Sequence, residues 1–209
     1  EKIGLISTNL AEKIAMTVTE SPYRVTADII SETCGQSISH AGAWDLVQRL
    51  GERISAEEEH AVKQMEAGQA EGKKEIPVLF EEMDGVWLCM QGKDHKKQKK
   101  QELKVFTMYE GWEVGNKESR LVNKVMLAGM ESSSLFHEKR EALIEKTYNV
   151  DEIQQRVLNG DGGSWIREPY DPETIFQLDR FHIYQEIKRK LKEKEAQKAV
   201  TELFEAKQI

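Results

Sequence analysis

Two hydrophobic rhythms divide this chain. Over residues 1–70 apolar positions recur every three or four residues, the spacing of amphipathic helices. Asn9 with Glu12 reads as a capping box opening "LAEKIAMTV". Pro22 suits the first position of a second helix, "RVTADIISETC", which Gly35 closes as a left-handed cap. Ser39 caps a third helix, "HAGAWDLVQRLGERI", and Ser55 with Glu58 predicts a restart at an angle. A helix, a glycine-containing turn and a serine-capped helix form a helix-turn-helix-like pattern, although any small helical bundle uses the same caps. Gln48, Arg49 and Arg53 are the side chains it offers for reading bases.

After the polar stretch "EAGQAEGKKE", which predicts a boundary, the rhythm changes. "IPVLFEEMDGVWLCM", "ELKVFTMYEGW" and "RLVNKVMLAGM" read as three strands. A helix follows over "SSSLFHEKREALIEKTYNV", then a fourth strand "QQRVLNGD" and a fifth "ETIFQLD". From Arg180, apolar residues at helical spacing predict one long amphipathic helix. The order is that of a mixed α/β (α+β) domain over residues 76–180, with residues 181–209 opening a helical insertion.

Composition narrows the class. Of 209 residues, 32% are charged and only four are proline, which describes a folded, helix-rich chain with no apolar run long enough for a membrane span. Cys34 and Cys89 are too few for a disulfide framework or a zinc site, and buried reduced thiols are expected. An N-terminal Glu1 and a final "TELFEAKQI" that stops inside a helical pattern read as a piece of a longer chain. The net charge of −7 argues against a protein that simply coats nucleic acid. Two basic runs stand out nonetheless: Lys93, Lys96, Lys97, Lys99 and Lys100, then Lys188, Arg189 and Lys190. Each is expected to be a solvated face, or together a pair of phosphate-facing patches.

The chemistry concentrates at an echo. "VLFEEMDGVW" and "VLNGDGGSWI" each run from apolar residues into Asp-Gly and then tryptophan. An Asp-Gly turn after a strand explains each alone. If the first and fourth strands pair in parallel, however, Asp84 and Asp161 emerge together at the carboxyl ends, where open α/β sheets bind ligands. Two close carboxylates repel unless one is protonated or a cation lies between them. Mg²⁺ suits such a pair, and two ions can promote phosphoryl transfer. The glycines would keep the approach free of side chains, with Trp87 and Trp165 packed in the core. In "LDRFHIYQEI", Asp179 is either a plain helix cap or, with His182, part of the same cleft, where the imidazole could contact a phosphate or move a proton.

"FEEMDGVW", "ELKVFTMYEGW", "NGDGGSWI" and "LDRFHIYQEI", in this order and spacing, closely resemble bacterial ISLre-type insertion-sequence transposases, relatives of the Mutator-like DDE transposases. The resemblance extends to the helical "YRVTADIISETCGQSISHAGAWDLVQRLGE". It implies an RNase H-like fold in which three antiparallel strands lead to a helix, and the first and fourth strands carry two acids of a metal-binding Asp-Asp-Glu triad. Asp84 matches the first acid and Asp161 the second. "DRFH" is similar to an Asp-x-x-His element of Mutator-like enzymes, which brings in Asp179 and His182. The implied reaction is phosphodiester hydrolysis at a transposon end, then attack of the freed 3′-hydroxyl on target DNA. Two Mg²⁺ or Mn²⁺ ions, DNA ends and target as partners, a homo-oligomer and a nucleoid-associated place in the bacterial cytoplasm are implied for the complete enzyme. One departure stands out: the third acid should follow a long helical insertion. Glu186, Glu193, Glu195, Glu202 and Glu205 read as a solvated face instead, so the piece is expected to be inactive alone. Two other readings use the same residues: a different RNase H-like nuclease, and a non-catalytic DNA-binding or assembly remnant.

Overall fold

The computed structural model describes residues 2–3, 6–115, 118–167 and 174–206. The chain forms two compact units, Glu1–Lys63 and Gln64–Ile209.

The first unit is helical. Two short strands, β1 (Lys2–Ile3) and β2 (Ile6–Ser7), pair antiparallel ahead of α1 (Thr8–Glu20), α2 (Tyr23–Cys34) and the start of α3 (His40–Glu66). Ser7, not Asn9, caps α1, its hydroxyl accepting from the Leu10 N–H at 3.3 Å. Gly35 closes α2 with φ +61°, and the Ser39 hydroxyl accepts from the Gly42 N–H at 3.0 Å. Ile14, Ile30, Ala43 and Leu46 form the core of this unit. The restart expected at Ser55 does not occur: α3 runs unbroken for 27 residues, because an interior serine costs a helix little when nothing stops its backbone ladder. Arg49 and Arg53 pair with Asp45 and Glu57 one turn away, at 2.9 and 3.1 Å, rather than standing as unpaired cations.

The second unit is built on a mixed five-stranded sheet. In chain order it contains β3 (Val78–Cys89), α4 (Gly92–Lys97), β4 (Lys100–Tyr109), a small hairpin of β5 (Trp112–Val114) and β6 (Ser119–Leu121), β7 (Val125–Gly129) and α5 (Ser133–Thr147). There follow β8 (Gln155–Gly160), α6 (Ser164–Arg167), β9 (Ile175–Leu178), α7 (Arg180–Lys190) and α8 (Lys194–Glu205). Strand order is β7-β4-β3-β8-β9. The first three strands pair antiparallel, while β8 joins β3, and β9 joins β8, in parallel. Glu173, at the start of the expected fifth strand, lies outside the described residues.

Alternation along the strands separates the two faces of the sheet. Leu79, Met83, Phe106, Leu127 and Leu158 point to one side and bury against Phe136 and Ile144 of α5. Phe80, Glu82 and Asp84 point to the other. The helix expected from Arg180 is broken at residues 191–193 and folds back on itself. Tyr184 meets Phe204 edge to face at 5.8 Å, and the Gln197 amide donates to the Leu191 carbonyl at 2.7 Å.

Candidate functional site

The parallel ladder sets the geometry. Met83 of β3 is the Cα partner of Gly160 on β8, and Gly160 is the partner of Leu178 on β9. These are the last paired positions, and the next residue on each strand is an aspartate: Asp84, Asp161 and Asp179. With neighbouring strands about 4.8 Å apart, three carboxylates occupy one row across the sheet. All three, with His182, line a cavity of about 210 Å³ whose walls include Glu82 and Asn159. Thus the structure brings together Asp84, Asp161, Asp179 and His182, the residues that the sequence singled out.

The positions differ from expectation in one respect. Asp84 does not end its strand, because β3 continues to Cys89 in an antiparallel ladder with β4. What ends at Met83 is the pairing with β8. Asp84 is therefore flanked by its β4 partner Val105 on one side and the Asp161 turn on the other.

Each aspartate uses one oxygen locally. Asp84 Oδ1 accepts from the Gly85 N–H at 2.8 Å, Asp161 Oδ1 from the Gly163 N–H at 2.7 Å, and Asp179 Oδ1 from the Phe181 N–H at 3.0 Å. Asp179 is thus the N-cap of α7, and its Oδ2 lies 3.9 Å from His182 Nε2, beyond hydrogen-bond distance. Among the described residues no three His, Cys, Asp or Glu side chains are grouped to hold a metal ion. The donor set is still suited to a hard divalent cation, since carboxylate oxygens are its usual ligands.

The turn after Asp161 is held from below. A Cβ on Gly160 would meet Ile166 Cγ2 at 2.8 Å and the Met83 carbonyl oxygen at 3.2 Å, so only glycine lets α6 approach β3 and β8 this closely. Gly162 takes φ +83°, a conformation that favours glycine. The half-buried Trp165 ring packs edge to face on Phe136 at 6.0 Å, with Lys104 Nζ 5.7 Å above it, and its carbonyl lies 2.7 Å from His137 Nε2. Trp87 behaves otherwise. It is 61% exposed on the β3–β4 arm instead of packing in the core, because β3 runs past the end of α5's cover.

Behind the row lies a buried charge cluster that sequence reasoning did not identify. Glu81, 1% exposed, accepts from Arg156 Nε of β8 at 2.7 Å and from Arg140 Nε of α5 at 2.9 Å. Arg156 also donates to both oxygens of Glu141, at 2.9 and 3.0 Å. Burial alone would raise the Glu81 carboxyl, but Arg140 and Arg156 outweigh it and hold it below its ordinary value. The sequence signal was a pair of adjacent acids, Glu81 and Glu82, inside a run of mainly apolar residues.

The basic residues split into two groups. Lys96, Lys97, Lys99 and Lys100 are exposed at the tip of the β3–β4 arm, which rises about 16 Å from Asp84 to Cys89 at strand geometry. The side chain of Lys93, in the same tip, lies outside the described residues. Lys188, Arg189 and Lys190 are exposed in the last turn of α7, where Arg189 is bound to Glu186 by two hydrogen bonds of 2.8 Å. Among the described residues no helix is long and apolar enough to cross a membrane.

A family model described as "Uncharacterised protein family (UPF0236)" matches residues 3–205. The chain is also similar to the "UPF0236 protein in vanSb 3'region" of Streptococcus gallolyticus, with 24% identity over 192 residues, or 88% of this chain. The match takes in 40% of that relative, so the chain spans less than half of its length. By a match that runs almost from end to end, this chain belongs to the uncharacterised family UPF0236.

Proposed function

We propose that the second unit is part of the RNase H-like catalytic core of a DNA transposase, acting by metal-dependent phosphodiester hydrolysis and strand transfer. The observation that carries this reading is the row formed by Asp84, Asp161 and Asp179 at the end of the parallel ladder. Three antiparallel strands, a helix and then a parallel strand bearing the second acid agree with what the transposase resemblance implies.

In this reading Asp84 and Asp161 would hold Mg²⁺ or Mn²⁺, each having one oxygen engaged locally with the Gly85 or Gly163 amide. The bound ion supplies a Lewis acid and an acidified water for attack on a phosphodiester. Gly162 and Gly163 leave the approach to Asp161 without side-chain bulk. His182, anchored in the first turn of α7, is placed to contact a phosphate oxygen or take up a proton. Asp179 orients that turn as its cap. The lysines of the arm tip bind the DNA backbone, and the remaining acid belongs to a part of the family chain outside these residues.

A second reading is a non-catalytic DNA-binding or assembly remnant, in which the exposed lysines of the arm tip and the helical first unit are the working parts. Titration with Mn²⁺, followed by its paramagnetic resonance, separates the two. Binding that is lost in Asp84→Asn and in Asp161→Asn supports the catalytic reading. No binding above that of either variant, in this chain and in a full-length family member, removes it.

A further inference from the structure

We propose that the buried Glu81–Arg156–Arg140 cluster sets the register of β8 against β3, and thereby decides on which face of the sheet Asp161 stands. The inference concerns strand pairing and goes beyond the chemistry proposed above.

Pairing between β3 and β8 covers six positions, Val78 opposite Gln155 to Met83 opposite Gly160. Apolar burial marks register poorly there. On β8 the α5 side carries Arg156, Leu158 and Gly160, and the opposite side Val157 and Asn159, so each face has a single apolar side chain. On β8 the buried face is marked by one large apolar side chain, Leu158, so burial specifies register only in part, and a slip of one residue turns every side chain over. Such a slip would place Asp161 on the α5 side, out of the row with Asp84.

Charge supplies what burial does not. Arg156 stands opposite Leu79, two positions from Glu81 on the same face, and reaches it with Nε at 2.7 Å and Nη2 at 3.1 Å. Arg140 approaches Glu81 from α5, and Glu141 binds the far side of Arg156. A one-residue slip would carry the Arg156 guanidinium to the other face and break its bonds to Glu81 and Glu141 together. Breaking a buried pair is far costlier than the pair's net contribution to stability, so the cluster discriminates between registers more strongly than it stabilises the native one.

Paired cysteines test this in a chain carrying Cys34→Ser and Cys89→Ser. Glu82→Cys with Asn159→Cys joins Cα partners on the open face. Glu82→Cys with Leu158→Cys can be joined only after a slip. With the cluster intact, a short thiol cross-linker should join the first pair and not the second. Arg156→Met should lower the native yield by about tenfold and make the second pair react, while Arg156→Lys restores most of the native pattern. A folded Arg156→Met chain that still joins only positions 82 and 159 overturns the proposal. If Arg156→Met does not fold, the doubly neutral Glu81→Gln with Arg156→Gln replaces it and is read in the same way. Failure of both to fold makes the cluster a stability element, which also overturns the proposal. None of these outcomes depends on metal binding, so this inference and the proposed function fail separately.

Discussion

Asp84 and Asp161 stand in the same row of the sheet, each one residue past the last pair of the parallel ladder, Met83 opposite Gly160. They belong to distant parts of the chain, and only the pairing of β3 with β8 makes them neighbours. Both are exposed, so their proximity contributes nothing to the core.

Replacement of either by asparagine should therefore leave the fold intact. Unfolding free energy is expected to change by no more than about 0.5 kcal/mol, the usual range for surface positions. Mn²⁺ binding should disappear in both variants. Denaturant melts run beside the metal titration check the two halves together, and a large loss of stability would make the aspartate structural.

Gly160→Ala tests the close approach of α6 to the sheet. The added methyl meets the buried Ile166 side chain and the Met83 carbonyl oxygen of β3, so the packing of α6 against the sheet must shift. A destabilisation of about 1–3 kcal/mol is expected from overpacking. The same change at Gly51, where a Cβ would meet nothing within 4 Å, should be neutral or stabilising.

Acid should unfold the second unit through Glu81. Its carboxyl is held below the ordinary 4.5 in the folded chain, so below that value the unfolded state takes up the proton first. Stability from this group is complete above about pH 4.5 and falls as pH drops toward the folded value. A urea midpoint measured from pH 6 to about pH 3 checks this. Glu81→Gln should flatten the decline while lowering the midpoint near neutrality.

If the arm tip meets DNA, neutralising Lys96, Lys97, Lys99 and Lys100 together should weaken binding of a duplex oligonucleotide regardless of its sequence. The slope of log K against log salt should become shallower by about 3–4, roughly 0.9 for each phosphate that a lysine no longer neutralises. Fluorescence anisotropy across a salt series measures it. An unchanged slope would take the tip out of the DNA path.

Much of this architecture was legible in the residues. Gly35 and Ser39 mark helix ends because caps are satisfied by neighbours in sequence. The strands of the second unit and the acids at 84 and 161 were visible from apolar runs ending in Asp-Gly. Local signals misled at Ser55, which α3 runs through unbroken, and at Trp87, which is exposed instead of packed in the core.

Sequence by itself determined what depends on residues a few positions apart: helix phase, strand placement, caps, and the glycines around Asp161. Tertiary structure alone decided what depends on partners far along the chain. Asp179 joined the row through the pairing of β9 with β8, whereas its own neighbours left open whether it was a plain helix cap or part of the cleft. Glu81 became a buried ion because Arg140 and Arg156 reach it from a helix and a strand brought in by folding. Propensity and capping act over one turn or one strand, whereas register and ion pairing are settled only when elements meet, and the carboxylate row depends on that second kind of decision.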